Sequence, residues 1–360
     1  MFRRTLIAAG SVVLLAAVPG SAVAQIYKGK TVTMIINYPA GGPTDIEGRI
    51  IAHHLPAHIP GKPNVIVKNM GGAGGMIGSN FLGEIAKPDG ETFGFFTWNP
   101  VAELLGDPGM RVRFSAFELL GGVQNPVVVY IRKDTPPGMH AATDLMKTKE
   151  LKALSLDTHN TNTIHQAISL DVLGVKFKPV TGYKGLKEVE TAILQNEGQL
   201  ANSSLPGWRA SIEPTMAKQG IVIPLWQVAP PGKGGAYPRS PAVPEIQTFE
   251  EFFATVNPGK KPSGVPYQAM RAALDAQTAM FRTFFMPPKA NKEAVATMRA
   301  AIVSLWKDQN FIRDYAKAVR SDPVLVSGED GEAIMKGLAT VTPEIRTFLK
   351  NFGDDLAKRK

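Results

Sequence analysis

The chain of 360 residues contains no cysteine. That absence excludes a disulfide framework, a thiol nucleophile and thiolate metal ligation. Histidine is scarce, with six in all. The pair His54 and His58 is interrupted by Pro56 and completed by no acid, so no metal site is expected. Beyond the first two dozen residues, no apolar run approaches bilayer-spanning length. Phosphate-binding signatures fail on spacing. In "GGAGGMIG", a G-x-G-x-x-G pattern starting at Gly72 would need glycine where Ile77 stands. A phosphate loop ending at Gly29-Lys30-Thr31 would need one at Ala24. No G-x-S-x-G elbow is present. The 40 Lys and Arg exceed the 31 Asp and Glu, for a formal net charge of +9, but they are scattered without interleaved aromatics. Nucleic acid is not an expected partner, and the excess favours anionic ligands in general. No cofactor is expected.

What is present begins with an export signal. "MFRRTLIAAGSVVLLAAVPGSAVAQ" has a basic start (Arg3, Arg4), an apolar stretch and small residues Ala22-Val23-Ala24 before Gln25. Residues 1–24 therefore read as a cleaved signal peptide, and the periplasm as the destination. The apolar run of about 14 residues is short for a membrane anchor. The Arg pair leaves Sec and twin-arginine export both open.

The next residues set the architecture. "TVTMIINY" is a short buried strand, and Thr44-Asp45-Ile46-Glu47 fits a capping box with Ile46, Ile50, Ile51 and Leu55 on one helical face. Between them lies a turn of Pro39, Gly41, Gly42 and Pro43, a strand-to-helix passage whose free backbone amides suit an anion. The unit recurs: "NVIVKN", the "MGGAGG" loop, a helix through Ile77, Phe81 and Ile85, then the strand "ETFGFFTW". A second block follows with "NPVVVYIRKD", "LKALSLD", the polar loop "THNTNT", helices from about 164 to 173 and 186 to 195, and "GQLANSSLPGW". The Pro- and Gly-rich stretch 229–264 reads as irregular, and everything from Ala290 onward as helical.

The pattern predicts an α/β chain in two lobes, each a sheet flanked by helices, with the cleft at the strand carboxyl ends. Residues 25–127 and 278–360 form a discontinuous first lobe, and 128–277 an inserted second. The chain then crosses between lobes twice, near 126–130 and near 277–285, and the cleft can hinge closed.

Four segments in order, "NYPAGGPTD", "NMGGAGGMIGSNFLGEIAKPDGETF", "KPVTGYKGLKEVETAILQNEGQL" and "SSLPGW", resemble the periplasmic solute-binding receptors of tripartite tricarboxylate transporters, the Bug-type receptors. The likeness runs from about Ile26 to Phe352. The family's Pro-Gly-Gly-x-x-Asp pattern appears as Ala40-Gly41-Gly42-Pro43-Thr44-Asp45, while Tyr183-Lys184-Gly185 and Pro88-Asp89-Gly90 are intact. The resemblance implies a two-lobed periplasmic-binding-protein fold (Venus-flytrap, type II) with mixed sheets. It also implies capture of a small organic carboxylate, and delivery to membrane permease subunits by a monomer that is not an enzyme. It further implies that one loop from each lobe grips a ligand carboxylate, partly through water. Here those are the 38–45 loop and the loop around Asn160–His165. The sequence departs from the family at Lys68-Asn69-Met70-Gly71-Gly72, and at Asn202, where an acid is usual. The second departure removes the basis for amino-group selectivity. The 246–267 segment is longer than is usual in the family.

The expected ligand-binding residues are Tyr38, Ala40, Gly41, Gly42, Thr44 and Asp45 in the first loop, and Asn160, Thr161, Asn162 and Thr163 in the second. Thr97, Trp98 and Asn99, and Ser203 with Ser204, complete the cleft. Each has a plainer alternative. Asp45 would repel an anion and serves equally to stabilise the first helical turn. Thr161–Thr163 are natural helix caps, and Trp98 is either a cleft wall or core. His165 is read as a hydrogen-bonding group of the second loop. Glu188 with Glu190, and Glu250 with Glu251, read as solvated faces. Two other functions remain open. A ligand sensor for a membrane signalling protein uses the same binding physics, and a secreted hydrolase or lyase would have only Asp45 and His165 as an acid–base pair.

Overall fold

A computed structural model of the chain describes residues 26–359. The proposed signal peptide lies outside them. Among the described residues, eleven strands form two mixed sheets. In the first, β1 (Thr31–Ile36), β2 (Asn64–Asn69), β3 (Thr92–Thr97), β4 (Glu118–Gln124), β10 (Arg282–Met286) and β11 (Val324–Ser327) run in the order β11-β4-β10-β3-β1-β2. β1 is parallel to β2 and β3, whereas β10 is antiparallel to β3 and β4. The second sheet is β7-β6-β8-β5-β9, from β5 (Val127–Arg132), β6 (Leu151–Leu154), β7 (Phe177–Val180), β8 (Leu200–Ser204) and β9 (Val222–Val228). β6 is parallel to β7 and β8, while β5 is antiparallel to β8 and β9.

The strands form where β-branched and aromatic residues run together. β3 and β10 are almost wholly buried, and Phe95 packs on Phe284 with ring centroids 4.8 Å apart. Covered on both faces, such strands read as continuous apolar runs rather than alternating ones.

The chain passes from the first sheet to the second at Asn125-Pro126. It returns through the helix Gly264–Ala279 and Met280-Phe281. The two passages touch, because the Asn125 amide donates to the Thr278 carbonyl at 3.3 Å. The C-terminal helix Pro343–Leu356 also bridges the halves. It packs on Pro100–Leu105 beside the first sheet and on Thr161–Val172 beside the second, and Arg359 pairs with Asp171 at 2.9 Å.

Two stretches differ from the sequence-based expectation. The Pro- and Gly-rich region holds a helix, Phe249–Val256, opened by a reciprocal capping box between Thr248 and Glu251. The C-terminal portion is not uniformly helical, since β11 adds an edge to the first sheet beside β4.

Candidate functional site

The parallel strands β1 and β3 end side by side, and their carboxyl ends lead into the loops at 37–42 and 98–99. Asn37 pins these loops together. Its Oδ1 accepts from the Thr97 amide at 3.0 Å and its Nδ2 donates to the Thr97 carbonyl at 3.0 Å. Sequence reasoning had passed over Asn37.

Helix Pro43–His54 starts differently from expectation. Gly42 occupies the N-cap without a side-chain cap, and Pro43 fills the first turn, where a missing N–H costs nothing. Thr44 is therefore not the cap, and Glu47 is not its capping-box partner. Asp45 organises the loop. Its carboxylate accepts from the Gly41 amide (2.8 Å), Arg49 Nε (2.9 Å) and Asn69 Nδ2 (2.9 Å). Burial pushes the Asp45 carboxyl up, but these donors outweigh it and hold it below its ordinary value. Ala40 and Gly41 face solvent on the outer side of this turn.

The loops of the two halves meet. Tyr38 donates from its hydroxyl to the Gly74 carbonyl at 3.0 Å, and Asn160 Nδ2 donates to the same hydroxyl at 3.3 Å. Asn160 also caps helix Thr161–Val172, accepting from the Asn162 amide at 2.9 Å. Asn99 reaches across as well, its Oδ1 accepting from the Thr161 hydroxyl at 2.7 Å and the Thr161 amide at 3.1 Å. Pro39 sits between Gly71 and Gly185. A Cβ at Gly71 would come 2.5 Å from the Pro39 ring, an approach that glycine admits, and one at Gly185 would come 3.1 Å, tight enough that the ring would have to give slightly.

Between the loops lies a small cavity of ≈ 30 Å³, room for a water molecule or two. Tyr38, Gly42, Thr44, Thr97 and Asn162 line it, and Leu156, Leu186 and Phe281 give it apolar walls. The Asn162 carboxamide is 2% exposed and its Oδ1 has no protein partner. The remaining expected residues do other work. Thr163 pairs its hydroxyl with Ser155 at 2.7 Å. Ser203 is buried with its Oγ unpartnered, next to Ser204. Trp98 is core, edge-on to Phe114 at 6.2 Å, and is not a cleft wall.

The cavity has a charge that the sequence did not advertise. Arg282, at the start of β10, lines it with 1% exposure. Its Nη1 donates to Thr97 Oγ1 at 2.8 Å and its Nη2 to Ser204 Oγ at 3.0 Å, so one guanidinium joins the ends of β3 and β8. Thr97 Oγ1 lies 2.9 Å from Thr44 Oγ1. On the far edge, Arg282 Nε lies 2.8 Å from Glu47 Oε2, close enough for strong attraction but out of line for a hydrogen bond. Glu47 Oε1 accepts from Tyr315 (2.6 Å) and Asn125 (3.0 Å). Burial pushes the Arg282 pKa down, with Glu47 foremost among the opposing groups, and arginine remains charged.

Neither half of the conceivable acid–base pair is placed for catalysis. Asp45 is committed to its loop. His165 is fully buried with neither ring nitrogen partnered, and burial, with Arg271 second, lowers its pKa to about 3. Its expected hydrogen-bonding role is not what the structure shows. Glu190 also departs from expectation. It is 1% exposed, bonded to Ser211 and Lys187, and pushed up by burial.

The periplasmic binding protein BugD superimposes with a TM-score of 0.67 at 19% identity, over 91% of this chain and 99% of BugD. The fold is that of the Bug-type periplasmic binding proteins. The same Bug fold extends to MatC of Rhodopseudomonas palustris with bound malate (TM-score 0.65, 16% identity, 90% and 99% covered). It extends also to an R. palustris protein with adipate (0.66, 17%, 92% and 97%). No family model matches the chain. Among curated proteins, BugT of Bordetella pertussis is 35% identical over 89 residues, 25% of this chain and 26% of BugT. A UPF0065 protein of Agrobacterium vitis is 28% identical over 182 residues, 49% and 51% of the two chains. One of Cupriavidus necator is 39% identical over 90 residues, 25% and 27%. The matches thus span about half or less of these relatives. Together with the fold they support the Bug-type receptor family.

Proposed function

We propose that the chain is a periplasmic solute-binding protein. In this reading it captures a small organic carboxylate between its two lobes and delivers it, as a monomer, to the permease subunits of a tripartite tricarboxylate-type transporter. The observation that carries the reading is the convergence of two strand-to-helix loops, from different sheets, on one cavity lined by hydroxyls and a buried guanidinium. Anions are favoured where helix starts and a desolvated cation meet. Solved neighbours in this fold carry malate or adipate in their sites. A cavity this small admits such a guest only when the lobes part, as hinged receptors require.

The test is a thermal-shift panel of benzoate, pentanoate, malate, adipate and citrate. At least one should raise the melting temperature in a concentration-dependent way, because a ligand that binds only the folded state stabilises it. Silence across the panel, with protein shown to be folded, contradicts the proposal.

A further inference from the structure

We infer that Arg282 is the specificity-determining residue of the cleft, and that it selects guests carrying a single carboxylate on an apolar body. The inference rests on the binding function proposed above and narrows its ligand class.

The guanidinium is the only charge that is both fully buried and in the cavity lining among the described residues. Its countercharge, Glu47, lies on the Nε edge and is held there by its own donors, Tyr315 and Asn125. On the Nη edge the partners are two neutral hydroxyls, Thr97 and Ser204. Neutral hydroxyls are weaker acceptors than a carboxylate, so an arriving carboxylate can replace them on this edge and accept from both Nη groups in bidentate fashion. Hydroxyls also reorient, and Thr44 and Thr97 can turn their protons toward an arriving anion.

Nothing comparable awaits a second carboxylate. The other charged side chains in the lining, Lys187 and Glu188, are already engaged. Lys187 Nζ bonds Glu190 at 3.0 Å and Ser211 at 3.3 Å, while Glu188 accepts from the Lys184 amide at 2.8 Å. A second carboxylate would meet the Glu188 charge or the apolar walls of Leu156, Leu186 and Phe281. Burying an unpaired charge there is unfavourable. An aliphatic or aromatic body fits the same walls.

The experiment is isothermal titration of benzoate, pentanoate, benzamide, malate and adipate into the wild type and into the double variant Glu47→Gln/Arg282→Gln. The double variant removes both charges together and leaves no unpaired charge. The expected result is that benzoate or pentanoate binds at least 10-fold tighter than malate or adipate, and that uncharged benzamide does not bind. Loss of the charged hydrogen bonds in the double variant should weaken the monocarboxylate about 10- to 150-fold. Should the double variant fail to fold, Arg282→Lys keeps the charge but not the fork and should still weaken binding several-fold. Adipate or malate binding as tightly as the monocarboxylates overturns the inference and leaves the receptor reading standing. So does unchanged benzoate affinity in the variants. Silence of every acid overturns the receptor reading and the inference with it.

Discussion

Replacing Glu47 with Gln should separate stability from binding at this site. Both partners of the pair are buried, Arg282 at 1% and Glu47 at 0% exposure. Removing one member of such a pair typically costs about 3–5 kcal/mol, because the remaining charge is left uncompensated. Gln retains an oxygen for Tyr315 and Asn125, so the lower end, about 3 kcal/mol, applies. In a chain of this size that corresponds to a melting temperature lowered by roughly 4–5 °C. The distinguishing consequence appears on adding ligand. With Glu47 neutral, a bound carboxylate becomes the sole countercharge of Arg282, and its affinity should rise about tenfold, or ~1.4 kcal/mol. Differential scanning fluorimetry of both proteins over a benzoate titration reads this directly. The variant should melt lower without ligand, shift further with it, and recover about half of its deficit near saturation. Equal shifts in the two proteins would refute the reasoning, since they would mean that the guest does not sense the charge of Arg282.

Other predictions concern the scaffold. His165 has its folded pKa lowered to about 3, so the folded state keeps it neutral while the unfolded chain takes up a proton below about 6.5. Its contribution is complete above pH ~6.5 and is lost as pH falls through 6.5 toward 3, by up to ~1.4 kcal/mol per unit. Urea titrations of His165→Gln against wild type should therefore converge as the medium acidifies, and parallel curves would contradict this. Asp45→Ala removes the acceptor for Gly41, Arg49 and Asn69 and should cost about 1–3 kcal/mol. Faster amide exchange confined to residues 38–45 would show it, and unchanged protection there would oppose a loop-organising role. Trp98→Ala should cost about 3–5 kcal/mol by chemical denaturation, as a core truncation does. A loss below 1 kcal/mol would be incompatible with its packing on Phe114.

Local pattern carried much of the fold. "NVIVKN" coincides with β2, and the strand and helix readings around 31–38, 125–134 and 186–195 lie within a few residues of the observed elements. What escaped has physical causes. β4 contains Gly121-Gly122, which lower its apparent strand propensity, and its stability comes from pairing with β10 and β11 on both sides. β11 is four residues long, too short for a period to register. Thr248 and Glu251 had the spacing of a capping box, hidden by the prolines around them.

The site shows the same division. Tyr38, Thr44, Thr97 and Asn162 could be placed because strand-to-helix turns put their polar groups at strand ends. Asp45 and Asn99 were legible as cleft residues but not as bracing, because their partners come from other loops. Arg282 and Glu47 were missed for a stronger reason. Glu47 satisfies a local capping pattern, and its true partner lies in the returning strand, so no window of sequence contains both. The remaining signal was a single charge in "MFRTFFM", an otherwise apolar strand, and a charge in such a strand is buried only with a partner.

A structure of the protein crystallised with benzoate examines the core premise. The account predicts a carboxylate within hydrogen-bonding distance of the Arg282 guanidinium, flanked by Thr44 and Asn162, with the ring against Leu156 and Phe281. Benzoate bound instead in the surface groove between Glu103 and Arg346, with the cleft between the lobes unchanged, would contradict it.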